Sequence, residues 1–306
     1  MKLLIALLAA AVLAAPVHWI PISPVFRLVP GAAVFAFFFC VFAVLLREPR
    51  TYNAIRSMRW KLRLAWFRRR NGGKRDLPYA CPCCGLRIRA FSGFPYRKHP
   101  KRYNPERYRD ADNLVVCPCC FSMPRHRILA AWFQAHFEEI RDRRILYFAP
   151  EPSVRLWLKA HRVAFQTADL YQEADLKLDL QDTGLPDDSV QAVICNHVLE
   201  HVDDYAGALR ELYRILAPGG LLFLSFPVDL RLEDVREDPS IVTENARREA
   251  FGQNDHRRVF GRNARELLER YGFRAETIEG NSFPPEIKPV IGPADYDINI
   301  LFRLQK

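Results

Sequence analysis

The chain has 306 residues, 49% of them hydrophobic, and a net charge of +10. That apolar content excludes an intrinsically disordered protein, and the length admits one full α/β domain with additional segments. The charge is local: residues 47–75 hold eleven Lys or Arg against one acid, Glu48, so the remainder sums to zero and the protein is not basic throughout.

Leu3 to Ala15 is a thirteen-residue apolar run, and Ala32 to Leu46 is a second, extended N-terminally by Leu28 and Val29. Each is shorter than the roughly 20 residues that span a bilayer. Residues 1–46 are therefore expected to form a tight membrane-anchoring hairpin through the proline-rich PVHWIPISPVFRLVP. A signal peptide followed by a stop-transfer segment is the alternative; no clear A-x-A site precedes Pro16, which favours the uncleaved hairpin. Under both readings the basic block that follows belongs in the cytoplasm, which places the protein at the inner cell membrane with everything after Arg47 on the cytoplasmic side.

Residues 47–76 read as a basic juxtamembrane segment. Ile55, Met58, Leu62 and Ala65 recur at helical spacing, with Trp60, Trp66 and Phe67 beside them and arginines between, as in a helix lying on an anionic bilayer surface. Nucleic acid is the competing partner for such a charge block, and the neighbouring apolar span makes lipid the simpler one. Asn71-Gly72-Gly73 reads as a hinge.

Residues 77–122 carry six of the eight cysteines, in two knuckles, Cys81-Pro-Cys83-Cys84-Gly and Cys117-Pro-Cys119-Cys120-Phe. Each contains a C-x-x-C pair, the spacing at which two thiolates converge on one tetrahedral Zn²⁺. Cys81, Cys84, Cys117 and Cys120 are the expected ligands of a zinc-ribbon-like module, and Cys83 and Cys119 the spectators, with a shifted ligand set as the alternative. Four thiolates would fill the coordination sphere, so the metal would be structural. Two disulfides are the rival arrangement and require an oxidising compartment, against which the arginine block argues. The Arg- and Tyr-rich stretch between the knuckles reads as a solvated loop. Cys40 and Cys195 read as small core residues.

Residues 123–306 alternate strand-like and helical runs. Pro124 opens a helix with Ile128, Leu129, Trp132, Phe133, Phe137 and Ile140 on or near one face. Ile145 to Phe148 has the pattern of a buried parallel strand, followed by Ala149-Pro150-Glu151-Pro152-Ser153 and a helix bearing Val154, Leu156, Trp157 and Leu158. A second strand, Val163 to Ala168, ends at Asp169, a position from which a carboxylate accepts hydrogen bonds from both ribose hydroxyls of a nucleoside. Gln191 to Cys195 is the next buried strand, with Asn196-His197 at its C-terminal end, where ligands of open α/β sheets collect. Val198 to Val202 leads into a helix with Ala206, Leu209, Leu212, Tyr213 and Leu216, which Pro218-Gly219-Gly220 should stop before a strand over Leu221 to Phe226. Asp229 to Arg258 is an insertion, read either as a charged lid over the sheet edge or, for 234–250, as an ordinary surface helix. A helix with Ala264, Leu267, Leu268 and Tyr271 ends at Gly272, and strands follow near Arg274 to Ile278 and Ile298 to Leu304.

LPDDSVQAVICNHVLEH and LYRILAPGG together resemble the class I S-adenosylmethionine-dependent methyltransferases (methyltransferase type 11-like), and within them a bacterial subgroup that pairs a CPxCG cysteine cluster with an APEP turn. The resemblance covers roughly Tyr79 to Lys306. It implies a Rossmann-like, seven-stranded, doubly wound sheet with the final strand antiparallel. It also implies S-adenosylmethionine held by the Ala149, Pro150 and Glu151 turn, by Asp169 and Leu170, by Asn196, and by an adenine clamp at Asp179 and Leu180. Asp182 is the competing carboxylate for adenine. The APEP turn has no glycine where most of the superfamily has several.

Methyl transfer requires no general base. For a hydroxyl or amine acceptor the candidates are His197, Asp255 and His256; His201 reads as a packing or capping residue. The expected function is methyl transfer near the membrane, to an acceptor the chain does not name, such as a lipid-linked glycan precursor. The alternatives are a catalytically silent nucleoside-binding membrane scaffold and an RNA methyltransferase.

Overall fold

A computed structural model describes residues 58, 62–71, 76–93, 99, 101–104, 114–288 and 299–306. The expected membrane hairpin, 1–46, and much of the basic segment lie outside the described residues. Among the described residues, no helix is long and apolar enough to cross a membrane. The chain divides into two units, 1–69 and 70–306. In the first, residues 62–69 are helical, with Leu62, Ala65 and Trp66 exposed among exposed arginines and Leu64 buried.

In the second unit, β1 (Tyr79–Cys81) and β2 (Leu86–Ile88) form an antiparallel hairpin whose turn is the first cysteine knuckle. β3 (Ser92–Gly93) pairs antiparallel with β4 (Leu114–Val116), which runs directly into the second knuckle. The knuckles share one geometry. The Gly85 N–H donates to the Cys81 carbonyl and the Phe121 N–H to the Cys117 carbonyl, both at 2.9 Å, and both residues are left-handed, with φ of 71° and 59°. Glycine adopts that conformation freely, whereas Phe121 holds it against a steric cost of about 1–2 kcal/mol.

α1 (Pro124–Ala135) begins with proline at its first turn, where the missing N–H has no partner to lose. It packs on the sheet as its apolar face requires: the Trp132 and Phe133 rings lie 5.1 and 4.8 Å from that of Phe223. A 3₁₀ turn over Phe137–Glu139 then leads to β5 (Ile145–Phe148), α2 (Pro152–Ala160) and β6 (Phe165–Ala168). β7 (Val190–Asn196) is buried from Ala192 onward, α3 (Tyr205–Ile215) starts with the Asp204 side chain accepting from the Gly207 N–H, and β8 (Leu216–Ser225) completes the parallel set. The excursion that follows contains β9 (Arg236–Glu237), α4 (Glu244–Phe251) and β10 (Arg258–Val259), with β9 and β10 paired antiparallel. α5 (Ala264–Glu269), β11 (Arg274–Ile278) and β12 (Leu301–Gln305) finish the chain.

The sheet runs β11-β12-β8-β7-β5-β6, with β5 to β8 parallel and β12 antiparallel to both neighbours. Side chains alternate through it. Leu146, Val193, Cys195, Leu222 and Leu224 join a core with α3 and α5. Phe223 faces α1 on the other side, so both faces are covered.

Three features differ from the sequence reading. Six strands, not seven, are formed among the described residues; beside β6 the place of a further strand is reduced to one parallel bridge, Ala168 with Leu176. The segment there alternates leucine with charge, so a short, charged edge replaces a full strand. α3 ends at Ile215, before the Pro-Gly-Gly, because Leu216 already pairs with Val190; the prolyl-glycyl residues form a bulge, after which Leu221 pairs with Ala192. The insertion is an ordered hairpin and helix, α4 being capped by Thr243 and ended by left-handed Gly252 at φ 89°.

Candidate active site and cysteine centre

The parallel strands end together on one edge, and two adjacent ends carry strained backbone. Ala149, after β5, has φ 45°, and His197, after β7, has φ 54°. Left-handed non-glycine residues persist where surroundings over-determine them, and they cluster at functional sites. Ala149 thus takes the conformation that glycine would give this turn, which explains how an APEP turn can stand without glycine.

Glu151 is fixed from three sides. Arg125 donates to its Oε1 from Nε at 3.1 Å and from a terminal nitrogen at 2.8 Å, and His126, whose Nδ1 accepts the Met123 N–H at 2.9 Å so that its proton is on Nε2, sets Nε2 against the same oxygen. The Glu151 N–H donates to the Tyr147 hydroxyl at 3.0 Å. Burial alone would raise this carboxyl, but His126 and Arg125 outweigh it and hold it well below the usual carboxylate range. Of the predicted cofactor residues, Glu151 therefore already spends Oε1 on protein partners. Arg125 and His126 belong to a basic triplet completed by Arg127. Arg127, fully buried, donates to the carbonyls of Val115, Ser122, Ile287 and Lys288 and stacks on Phe91 at 4.2 Å. One turn of α1 thereby ties the second knuckle to the turn after β5.

Asp169 follows β6. Its Oδ1 accepts the N–H groups of Tyr171 and Gln172 at 2.8 and 2.6 Å, closing the loop, while Oδ2 makes no bond among the described residues. Leu170 and Tyr171 beside it are exposed. Asp179 accepts from the Gln181 N–H at 2.9 Å and from its amide nitrogen at 3.1 Å, Leu180 is buried in the core, and Asp182 is exposed. Asn196 is buried; its Oδ1 accepts from the Ser225 hydroxyl at 3.0 Å and its Nδ2 makes no hydrogen bond among the described residues.

His197 sits on the same edge. Its Nδ1 lies 3.0 Å from Glu200 Oε1, and because a carboxylate only accepts, Nδ1 carries the proton and Nε2 the lone pair. That Nε2 is buried with no hydrogen-bond partner among the described residues. Glu200 itself is fully buried and is the residue the sequence reading passed over. Burial opposes its ionisation, but His197 and then His201 and His256 hold it at about 2. His201 Nδ1 lies 3.2 Å from the Asp255 carbonyl, and His256 Nδ1 lies 3.3 Å from the Phe251 carbonyl. Burial pushes His256 down to about 4 and lowers His197 as well. An acid flanked by histidines three residues before and one after, just past a buried strand, is the signal that marks Glu200 in the sequence. Arg258 closes the arrangement: it is 3% exposed and donates to the carbonyls of Leu199, Val202 and Asp203, so the insertion clamps the loop carrying Glu200 and His201. The inter-knuckle segment reaches the same place, with Arg102 3.8 Å from Asp255 and the Asn254 N–H donating to the Arg102 carbonyl. Its described residues 102–104 are docked there, the Asn104 N–H also donating to the Gly252 carbonyl.

The four cysteines Cys81, Cys84, Cys117 and Cys120 converge, with their sulfurs all within 4.8 Å of one another. Cys81 and Cys120 sulfurs are 3.6 Å apart, and those of Cys84 and Cys117 are 4.0 Å apart. Among the described residues no cysteine is in a disulfide. Cys83 turns away, its thiol donating to the His126 carbonyl at 3.3 Å.

Residues 154–224 match the family profile described as a methyltransferase domain. A probable S-adenosylmethionine-dependent methyltransferase of Mycolicibacterium smegmatis is 30% identical over 111 residues, which are 36% of this chain and 39% of that relative. The matched part thus spans about two-fifths of the relative's length. Solved structures aligned to the chain include a SAM-dependent methyltransferase from Archaeoglobus fulgidus, 15% identical with a TM-score of 0.39, covering 59% of this chain and 94% of that one. Another, from Mesorhizobium loti, is 18% identical with a TM-score of 0.40, covering 58% of this chain and 98% of that one. The fold defines a Rossmann-like α/β protein with a mostly parallel sheet. More particularly, residues 154–224 within that fold are similar to the methyltransferase-domain family.

Proposed function

We propose that this protein transfers a methyl group from S-adenosylmethionine to an acceptor held at the carboxyl edge of the sheet. The observation that carries this reading is the convergence of Ala149, Asp169, Asn196 and His197 on the carboxyl edge of the sheet, the last three within the matched residues 154–224. The residues fit the cofactor: Asn196 Nδ2 is a buried donor without a hydrogen bond, and Asp169 has one carboxylate oxygen to offer the ribose. When bound, the cofactor supplies an electrophilic methyl on a sulfonium, so the protein's work is mainly positioning. Glu200 fixes the His197 ring in the tautomer that leaves Nε2 able to accept a proton from a hydroxyl or amine acceptor. His256 and Asp255 act from behind, through His201 and the Glu200 carboxylate.

The cysteine centre is read as a structural Zn²⁺ site with Cys81, Cys84, Cys117 and Cys120 as ligands. A tetrahedron with Zn–S bonds of about 2.3 Å has edges of about 3.8 Å, and the 3.6 and 4.0 Å separations bracket that value. The N-terminal apolar runs and the basic segment support a membrane-anchored, cytoplasm-facing protein, and the exposed Leu62 and Trp66 among arginines support a helix that rests on anionic lipid. Such placement favours a membrane-proximal acceptor, of which a lipid-linked glycan is one chemistry.

Isothermal calorimetry of the full chain with S-adenosylhomocysteine, followed by transfer of labelled methyl groups to membrane extracts, tests the reading. Binding with label transfer supports it, binding without transfer to any fraction points to a scaffold, and no binding overturns it.

A further inference from the structure

The histidine and glutamate cluster behind His197 has features that proton transfer does not use. Glu200 is fully buried, and neither of its oxygens makes a standard hydrogen bond among the described residues; its partners are imidazoles, His197 at 3.0 Å and His201 at 4.0 Å. A buried carboxylate stands only where it is paired or coordinates a cation. The two other rings are oriented alike. His201 presents Nδ1 to the Asp255 carbonyl and His256 presents Nδ1 to the Phe251 carbonyl, so each gives its proton to an oxygen and keeps a lone pair on Nε2. An imidazole whose far N–H is held by a backbone carbonyl or carboxylate is the arrangement found behind metal-ligating histidines. The rings stand edge to face with centroids 4.8 Å apart, and one ligand atom each from Glu200, His201 and His256 lies within 4.8 Å of the others.

We propose that Glu200, His201 and His256 bind one divalent transition-metal ion, distinct from the cysteine centre. In a tetrahedral site, ligand bonds of about 2.0–2.2 Å place ligand atoms about 3.3–3.6 Å apart, so atoms as far as 4.8 Å apart must close by about an ångström or slightly more as the ion binds. Two imidazoles and one carboxylate suit Zn²⁺, Co²⁺ or Fe²⁺ and not Mg²⁺ or Ca²⁺, which prefer all-oxygen sites. His197 then supports the carboxylate from outside the metal, and the Asp255 backbone carbonyl supports His201. Three protein ligands leave a position open, and the site adjoins His197, so an oxygen of the methyl acceptor is the chemistry it would take. That last role rests on the proposed methyl transfer; metal binding itself does not.

The test is metal content of the full-length chain, equilibrated with Zn²⁺ and measured by plasma emission, with Co²⁺ spectra alongside. Wild type should hold two equivalents. Glu200→Gln and His201→Asn should each hold one and lose at least about a hundredfold in affinity at the second site. Cobalt should give weak ligand-field bands that disappear in His201→Asn while the thiolate charge-transfer bands remain. His201 is a third exposed, so that variant should fold even if Glu200→Gln does not. One equivalent in wild type, or a second equivalent unaffected by His201→Asn, overturns the proposal. Loss of methyl transfer with two metals retained would sink the functional reading and leave this one standing.

Discussion

Arg125 and Glu151 join two parts of the protein through a single carboxylate oxygen, which accepts hydrogen bonds of 3.1 and 2.8 Å from the one guanidinium. The helix leaving the second cysteine knuckle is thereby fastened to the turn after β5. Glu151→Gln keeps the shape and removes the charge, leaving Arg125 without its counter-charge in a largely buried position. The expected outcome is a stable but less well-ordered turn, with S-adenosylhomocysteine affinity down about tenfold, or about 1.4 kcal/mol. Calorimetry on a folded Glu151→Gln chain checks it, and unchanged affinity would mean the turn does not depend on this pair.

Asp169 allows the turn and the ligand to be separated, because its two oxygens have different occupations. Asn keeps an acceptor for the Tyr171 and Gln172 N–H groups but replaces Oδ2 with a donor that cannot accept from ribose. Asp169→Asn should therefore melt like wild type while cofactor affinity falls about 10- to 100-fold, the range for hydrogen bonds to a charged group. An affinity within twofold of wild type would place the ribose elsewhere.

What could be read in the sequence follows from the range of the interactions involved. β5, β7 and β8 are visible as apolar runs because they are buried on both faces, and the cysteine pairs because C-x-x-C is a local geometry. Asp169 is legible as the tip of a strand. Glu200 carries only the local mark of its flanking histidines, and its burial is not legible, since that depends on His256 and on Arg258, more than fifty residues away. The role of Arg127 is equally hidden, as two of its four carbonyl partners belong to Ile287 and Lys288. That no seventh strand forms among the described residues is a matter of edge pairing, which the leucine pattern of residues 176–180 does not decide.

Arg127 is the residue on which the knuckle and the 285–288 turn both close. Lysine offers one nitrogen where the guanidinium reaches four carbonyls from three, so Arg127→Lys should leave at least two buried oxygens poorly paired. The expected loss is about 3 kcal/mol, with faster release of zinc to a chelator than in wild type. By contrast, Cys83→Ser should keep full zinc content, since its thiol donates to the His126 carbonyl and is not one of the four converging sulfurs. Metal analysis and chelator kinetics on both variants check this, and zinc lost from Cys83→Ser would shift the ligand set.

Glu211 gives the clearest pH dependence. Its carboxylate accepts from the Thr183 N–H at 2.8 Å and hydroxyl at 2.5 Å, and from Arg214 at 2.7 and 2.8 Å, so α3 anchors the loop before β7. Arg214 first, and then Thr183, hold it at about 2, against about 4.3 in an unfolded chain. A carboxyl depressed on folding binds protons more readily when unfolded, so its stabilisation is complete above the unfolded value and is lost as pH falls from about 4 through about 2. Glu211→Gln should then cost about 2 kcal/mol at pH 7, a drop of about 4–8 °C in Tm. The gap between the variant and wild type should narrow steadily below pH 4 and vanish near pH 2. Thermal melts across that range decide the matter: a gap that persists unchanged at pH 2, or none at pH 7, would show that the Thr183 and Arg214 contacts do not depend on the charge.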